Sequence, residues 1–342
     1  MTVTVVKKLN PYFEIIGLIY DSVRPESAEE EAWKKSARNR GLNPEEINRK
    51  IGPVIRKYHA VFQKYRTGRE MEDFDFFFMH EEPEFALFFQ SICGEHPEWF
   101  EGELKEEQKG EVQLAFLQEF SEEEQITEPP AFEKMVRILE RAGYSGGLGW
   151  KFLLFLQEPV KKLQNLSRIL KANFSAFEKA KEAVQKQLEK LMEDFQKGME
   201  KEYLIAKISG EVTAFPTLVC PGAEIISSNP GSTTAYIGMF VQDIYKMLEK
   251  SRNNRQHLLP VLKALSDSSK FEILQSLLIA PKYNLEIAEE LKLSPPTVSH
   301  HMSVLLENGL VDVEKKEGKV YYTLSKERLR EAVGELEKIF SI

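Results

Sequence analysis

Residues 285–324 read LEIAEELKLSPPTVSHHMSVLLENGLVDVEKKEGKVYYTL, and they decide the fold of the C-terminal part of the chain. The apolar residues of 285–291 recur at helical spacing, and Asn284 can cap this short helix. Ser294 is a favoured N-cap residue, and Pro295 suits the first position of a helix because its missing N–H has no partner to lose there. The stretch therefore begins with two helices separated by a tight turn.

Two alternating segments follow the second helix, which ends at Gly309 as helices do at a left-handed glycine. They cover 310–314 and 320–324, and a charged loop joins them into a predicted hairpin. The basic tip of this hairpin carries three lysines, Lys315, Lys316 and Lys319. Helix, turn, helix and hairpin in this order predict a winged helix-turn-helix, and therefore a partner of double-stranded DNA.

The second helix also predicts which of its faces meets DNA. At about 100° per residue, Val298, Met302 and Leu305 share a narrow arc, so we expect them to pack on the first helix. The opposite face is small, polar and uncharged, which suits contact with base edges in the major groove. Besides the three wing lysines, the predicted DNA contacts are Ser294, Pro296, Thr297, Ser299, His300, His301 and Ser303. His301 lies nearer the apolar arc, so a structural imidazole and a DNA contact are both open for it.

These segments resemble the ArsR/SmtB family of bacterial transcriptional repressors. The blocks occur in the family's order, namely LKALSD (262–267), FEIL (271–274), IAEEL (287–291), LSPPTVSHH (293–301), NGLV (308–311) and EGKVYY (317–322). The run 268–270 departs from the family, which has a Pro-Thr-Arg-like sequence at this turn. The resemblance implies a repressor that binds a palindromic operator as a homodimer.

The resemblance further implies that the dimer is formed by the helix before the motif and the helix after the wing. Here these would be residues 257–265 and 326–340, and the latter carries an apolar stripe. The predicted dimerisation residues are Leu258, Leu262, Leu329, Val333, Leu336 and Phe340.

Some members of the family sense metals, but the residues of this chain do not favour a metal site. Thiol-type sensors carry paired cysteines where this chain has Tyr283–Ile287, and the sensors with a site on the last helix need His and carboxylates. Residues 326–342 contain no His and no Asp. Since soft metals require thiolates or imidazoles that converge on one point, we expect neither a metal nor another cofactor.

Charge and length divide the chain into two predicted domains, 1–250 and 251–342. The whole chain has 46 basic and 54 acidic residues, and 251–342 contains 13 of each, so the net charge of −8 lies in 1–250. An acidic region of this kind is not expected to bind nucleic acid. Two distant cysteines, no apolar run of membrane length and no leader-like N-terminus predict a reduced, cytoplasmic protein.

The first 250 residues predict a mostly helical α+β domain, so the chain as a whole is mainly α with small β elements. Predicted helices cover 11–23, 27–40, 44–65, 83–93, 106–120, 131–142 and a long stretch of about 158–205. The apolar stripe of the long helix favours a position across its own domain over an intermolecular coiled coil. A small antiparallel meander is predicted within about 211–241, and residues 2–7 are a candidate for a further strand.

Three features of this region resemble sites, but each has a structural interpretation that the pattern favours. The glycines at 143–149 follow a helix and fit an interhelical turn better than a phosphate loop. Cys93 and His96, with His80 upstream, are too few to predict a metal site. The aromatic run 74–100 fits core packing better than a ligand pocket.

We therefore expect a regulator controlled through residues 1–250 by a non-metal ligand or a protein partner. The alternative is an enzyme or interaction module that carries a DNA-binding tail.

Overall fold

The computed structural model describes residues 2–24, 34, 37–38, 42–79, 83–120, 126–144, 146–198, 211–229, 232–252, 258–316 and 319–341. The N-terminal helices follow strand β1 (Thr2–Val5); they are α1 (Pro11–Ser22), α2 (Pro44–Tyr65), α3 (Phe74–Phe78), α4 (Pro83–Glu95), α5 (Glu98–Glu101), α6 (Lys109–Gln118), α7 (Phe132–Arg141), α8 (Gly146–Gln157), α9 (Pro159–Ala172), α10 (Phe174–Ala183) and α11 (Gln185–Gly198). Next come β2 (Glu211–Thr217), β3 (Glu224–Asn229), β4 (Ser232–Gly238) and α12 (Val241–Arg252). The C-terminal part contains α13 (Leu258–Leu265), α14 (Ser268–Ile279), α15 (Asn284–Leu291), α16 (Pro295–Glu307), β5 (Val311–Lys316), β6 (Lys319–Leu324) and α17 (Lys326–Phe340).

The predicted fold class, mainly α with small β elements, is confirmed. Most of the predicted helix at 27–40 lies outside the described residues. Among the described helices, no apolar stretch reaches the length that crossing a bilayer requires.

The N-terminal sheet is mixed, so the predicted antiparallel meander is wrong. Its strand order is β1-β2-β4-β3, in which β2 pairs in parallel with β1 and with β4, and only β3 and β4 are antiparallel. The candidate strand at the N-terminus does join the sheet. Strand β4 lies between β2 and β3, where Ala214 and Ala235 are register partners and both are fully buried. Alternation and turn residues locate strands in a sequence, but this order depends on burial between neighbours that are far apart in the chain.

A buried carboxylate joins helix α1 to α2 and to the end of β2. Glu14 is fully buried, and its Oε1 accepts hydrogen bonds from Thr217 Oγ1 at 2.6 Å and Leu218 N at 3.0 Å. Its Oε2 accepts from Tyr58 Oη at 2.9 Å and Val219 N at 3.2 Å. Burial raises the pKa of Glu14, and the four hydrogen bonds act in the opposite direction.

The long helix predicted at 158–205 is wrong, because it is divided into α9, α10 and α11. The first break is at Asn173, whose fully buried side chain accepts from Thr67 N at 2.9 Å and donates to Thr67 O at 3.1 Å. The second break is at Val184. Buried stripe residues such as Leu166 and Phe177 belong to the N-terminal core, which agrees with a position across the domain. Residues 199–205 lie outside the described residues.

The aromatic run 74–100 forms core, as predicted. Seven of its large rings are buried, namely Phe74, Phe77, Phe78, Phe85, Phe89, Trp99 and Phe100.

A separate apolar cluster, built by α13 to α17 and β5, contains none of the N-terminal core residues. The boundary between 250 and 251 remains a prediction.

Candidate DNA-binding surface

Helix α16 begins where the sequence predicts, at a capped proline. Ser294 Oγ accepts a hydrogen bond from Thr297 N at 3.3 Å, and Pro295 occupies the first helical position. Lys292 has a φ of 54°, so the left-handed turn between α15 and α16 is made without glycine. Asn308 is the C-cap, and Gly309 follows with a φ of 68°.

The predicted cap of helix α15 is wrong by one residue. Tyr283 is the N-cap, and its N–H donates to Glu286 Oε2 at 3.0 Å. Asn284 is instead the first residue of the helix, and its Nδ2 donates to Ser299 Oγ at 3.1 Å. The side chain expected to cap one helix therefore joins the two helices of the motif.

The apolar arc of α16 is buried, as predicted. Val298, Met302 and Leu305 are all at most 1% exposed and belong to the C-terminal core. They share that core with Ile287 of helix α15. Because three points along one arc are buried, the rotation of α16 about its axis is fixed.

The opposite face of α16 is open and polar. Ser294, Ser299, His300 and Ser303 are exposed, whereas Thr297 is half-buried. All four of these hydroxyls have local partners. Ser294 Oγ and Thr297 Oγ1 lie 2.7 Å apart, Ser299 Oγ accepts from Asn284 Nδ2 at 3.1 Å, and Ser303 Oγ donates to Ser299 O at 3.0 Å. Nothing is described of the Pro296 side chain. His300 is therefore the largest polar side chain that the described part of this face offers to a base.

His301 lies on the flank of α16 that faces α14. It is half-buried, and its Nδ1 is enclosed without a hydrogen-bond partner among the described residues. Burial lowers the pKa of His301, and the charge of Lys270 lowers it further, while Asp267 acts in the opposite direction. The charges at the start of α14 thus act on this imidazole. Its contact with DNA remains a prediction.

The wing is the antiparallel hairpin β5–β6, which is longer than predicted. Its backbone register pairs Lys315 with Val320 and Lys316 with Lys319, which is the last described pair of the hairpin. Strand β6 is also fixed on its other edge, where Tyr322 N donates to Lys282 O at 2.8 Å and its carbonyl accepts from Lys282 N at 3.1 Å. Sequence reasoning missed this bridge, because a single residue before α15 carries no strand pattern.

The predicted dimerisation residues divide into two groups. Leu258 is buried in its own domain, and Leu262, Leu329 and Leu336 pack partly against the same core. Val333 and Phe340 are 55% and 67% exposed on α17. Sequence reasoning missed one further exposed side chain, Leu259 on α13, which is 68% exposed. Its helical position outside the arc of Leu258 and Val261 was the available signal.

The features of the N-terminal part that resemble sites are occupied by structural contacts. Cys93 is buried as a free thiol, and His96 stacks on Trp99 with ring centroids 3.9 Å apart and its Nδ1 2.9 Å from Glu98 Oε1. No group of three His, Cys, Asp or Glu side chains converges on one point in the part of the chain that the structure describes. Gly143 has a φ of 84° in the turn between α7 and α8.

A capped recognition helix with a buried arc, an open polar face and an adjacent hairpin defines a winged helix-turn-helix DNA-binding protein. Residues 267–313 match the family described as "Bacterial regulatory protein, arsR family". The chain is 40% identical over 70 residues to an arsenical resistance operon repressor of Staphylococcus aureus, which is 20% of this chain and 67% of that protein. It is 30% identical over 73 residues to the transcriptional repressor SdpR of Bacillus subtilis, which is 21% of this chain and 81% of that protein.

A third relative is the transcriptional activator HlyU of Vibrio cholerae, 28% identical over 93 residues, which is 27% of this chain and 86% of that protein. The chain belongs to the ArsR family through its C-terminal part, and it is a DNA-binding transcriptional regulator. These matches leave the N-terminal part uncovered.

We predict that His300→Ala weakens binding to the operator by about 1–3 kcal/mol and leaves binding to random DNA nearly unchanged, because it removes a base contact. Thr297→Ala is expected to act in the same direction, and Thr297→Ser should restore affinity because it keeps the hydroxyl. Fluorescence anisotropy on both DNAs measures the effect, with Gln275→Ala on the exposed side of α14 as the control. Equal losses on the two DNAs would show that this face of α16 does not read bases.

We predict that replacing Lys315, Lys316 and Lys319 by Gln lowers the salt dependence of DNA binding. Each phosphate contact contributes about 0.9 to the slope of log affinity against log salt, so the slope should fall by up to about three. The matched control changes three exposed lysines of the N-terminal part, Lys186, Lys190 and Lys246, to Gln. A slope that stays the same in the wing variant would place the wing in solvent.

Proposed function

We propose that the protein is a homodimeric repressor that binds a palindromic operator through α16 and the wing. The observation that carries this proposal is the open polar face of α16 above its buried arc. Two of the relatives above are named as repressors, which supports a regulator over an enzyme and repression over activation. A single recognition helix reads only a few base pairs, and a second copy supplies the second half-site.

The surface that supports a dimer is formed by α13 and α17, which pack against each other. Leu259, Val333 and Phe340 leave large apolar side chains exposed on these two helices. Large apolar side chains exposed on two helices that pack against each other support a protein–protein contact at this surface. A second copy of the chain, related by a two-fold axis beside α13 and α17, would cover these side chains and supply a second recognition helix.

We further propose that the N-terminal part controls DNA binding through a non-metal ligand or a protein partner. The N-terminal part carries the entire acidic excess. It also has a large core of its own, so it is a larger unit than dimerisation requires. Control requires that the effector bind the DNA-competent and DNA-incompetent arrangements with different affinity. Helix α12 ends at Arg252, shortly before the first helix of the DNA-binding part.

We predict that Val333→Glu combined with Phe340→Glu converts the dimer into a monomer, because the substitutions place charges in an apolar contact. Sedimentation velocity measures the state of the protein, and operator affinity should fall at least about tenfold, since one half-site is lost. Leu278→Glu is the control, because Leu278 is an exposed apolar side chain of α14, outside the proposed surface. A double variant that still sediments as a dimer would refute this interface.

We predict that removing the N-terminal part abolishes regulation but not DNA binding. Operator DNA is first selected from a random pool with the full chain, and its affinity is then measured for the full chain and for residues 251–342. Cell extract should shift the affinity of the full chain by roughly 5- to 150-fold, the range typical of allosteric coupling, and leave the fragment unchanged. If the full chain and the fragment respond equally to cell extract, the N-terminal part has no regulatory role. A response of the full chain to chelator alone would show that a metal is the effector.

A further inference from the structure

The hydroxyl groups on the open face of α16 differ in whether their hydrogen is already used. Ser303 Oγ donates to the backbone carbonyl of Ser299, one turn earlier, at 3.0 Å. The hydrogen of Ser303 is therefore engaged within the helix, while its oxygen keeps a lone pair for a partner. Because Ser303 is exposed, it offers DNA an acceptor and no donor.

Ser299 is in the opposite state, because Asn284 supplies a hydrogen to it. Asn284 Nδ2, on the first residue of α15, donates to Ser299 Oγ at 3.1 Å. A hydroxyl oxygen that accepts a hydrogen bond keeps its own hydrogen for another partner. Ser299 is exposed, so this hydrogen can be donated to a base.

The surroundings of Asn284 decide the orientation of its amide. Its Oδ1 is enclosed and has no hydrogen-bond partner among the described residues. The reversed amide would enclose an NH2 group instead, and two N–H donors rather than one oxygen would lack a partner. Since each unsatisfied buried polar group costs free energy, the amide that donates to Ser299 is the more stable one.

The other two hydroxyls of this face have no set direction. Ser294 Oγ and Thr297 Oγ1 lie 2.7 Å apart, and either can donate to the other. Of the four hydroxyls, Ser299 and Ser303 therefore carry a donor and an acceptor role that the fold itself assigns.

We propose that Asn284 is a positioning residue of the DNA-binding surface, which holds Ser299 as a hydrogen-bond donor to a base while Ser303 accepts from one. This inference rests on the proposed function, in which α16 lies in the major groove. There, purine N7 and the keto oxygens of guanine and thymine accept, whereas the amino groups of adenine and cytosine donate. Ser299 thus reads an acceptor and Ser303 reads an amino group. One helical turn, about 6 Å, separates the two serines, so the two base pairs are about two steps apart at most.

The test begins with operator DNA that the full chain selects from a random pool. Repeating the selection with Ser299→Ala and with Ser303→Ala locates the base pair that each serine reads, because the variant loses its preference there. Single groups of these base pairs are then removed with base analogues. In place of guanine or thymine, 2-aminopurine or 5-methylpyrimidin-2-one removes the keto oxygen, and 7-deazapurines remove N7. In place of adenine or cytosine, purine or pyrimidin-2-one removes the amino group.

At the base pair read by Ser299, removal of an acceptor should lower the operator affinity of the unchanged chain roughly three- to tenfold, and removal of the amino group should not. The base pair read by Ser303 should show the reverse. Each alanine variant should be indifferent to analogues at its own base pair, which separates a lost contact from an effect on the duplex.

Asn284→Asp is the decisive variant. A carboxylate only accepts, so Ser299 would donate its hydrogen to Asp and offer DNA an acceptor instead. The variant should lose the dependence on the base acceptor, and selection with it should bring an amino group to the same place. A purely structural role of Asn284 would lower affinity for all bases alike. An acidic residue suits the first turn of α15, and Gln275→Glu, the same change of amide to carboxylate on the exposed side of α14, is the matched control.

Dependence of the Ser299 base pair on its amino group, or a pattern that Asn284→Asp leaves unchanged, would overturn the role of Asn284. Alanine variants that keep every base preference would overturn it as well. In these cases the chain still selects an operator, so the proposed function stands. A full chain that selects no DNA would refute the proposed function itself, and this inference with it.

Discussion

The burial of one side of helix α16 is the constraint that fixes which of its faces is open to a partner. Val298, Met302 and Leu305 each remove an apolar side chain from water, and each contributes roughly 1.5–3 kcal/mol. A rotation of α16 that exposed them would lose this free energy and would also bury the polar face that is proposed to meet DNA. Ser294 fixes where the helix begins, so both the rotation and the start of the helix are determined locally.

The N-terminal part depends on a different kind of interaction, a carboxylate buried without a cationic partner among the described residues. Transfer of such a group from water is costly unless hydrogen bonds replace those of the solvent. Glu14 has four, from Tyr58, Thr217 and two backbone N–H groups. These donors lie more than forty positions away in the sequence, so the network forms only when α1, α2 and the end of β2 are in place together.

This contrast explains how much of the structure could be predicted from the sequence. The recognition helix and the wing follow from local signals, namely a cap, a proline, a glycine and two periodicities. Strand order and the break at Asn173 do not, because Asn173 leaves helical geometry to bind the backbone of Thr67, a residue more than one hundred positions earlier. The cap of α15 failed for a related reason, since Asn284 bonds to Ser299 of the next helix.

The C-terminal end of α16 is in direct contact with α17. Arg328 of α17 is buried, its Nε donates to Asn308 O at 3.4 Å, and its Nη1 donates to Glu331 Oε2 at 3.0 Å. A cation placed at the C-terminal end of a helix interacts favourably with the helix dipole, so α17 is bound to α16 through charge as well as packing. Because a buried arginine that loses its acceptor keeps the cost of its desolvation, α16 and α17 are expected to move together. A displacement of the proposed dimer surface would thereby be transmitted to α16, the helix proposed to read DNA.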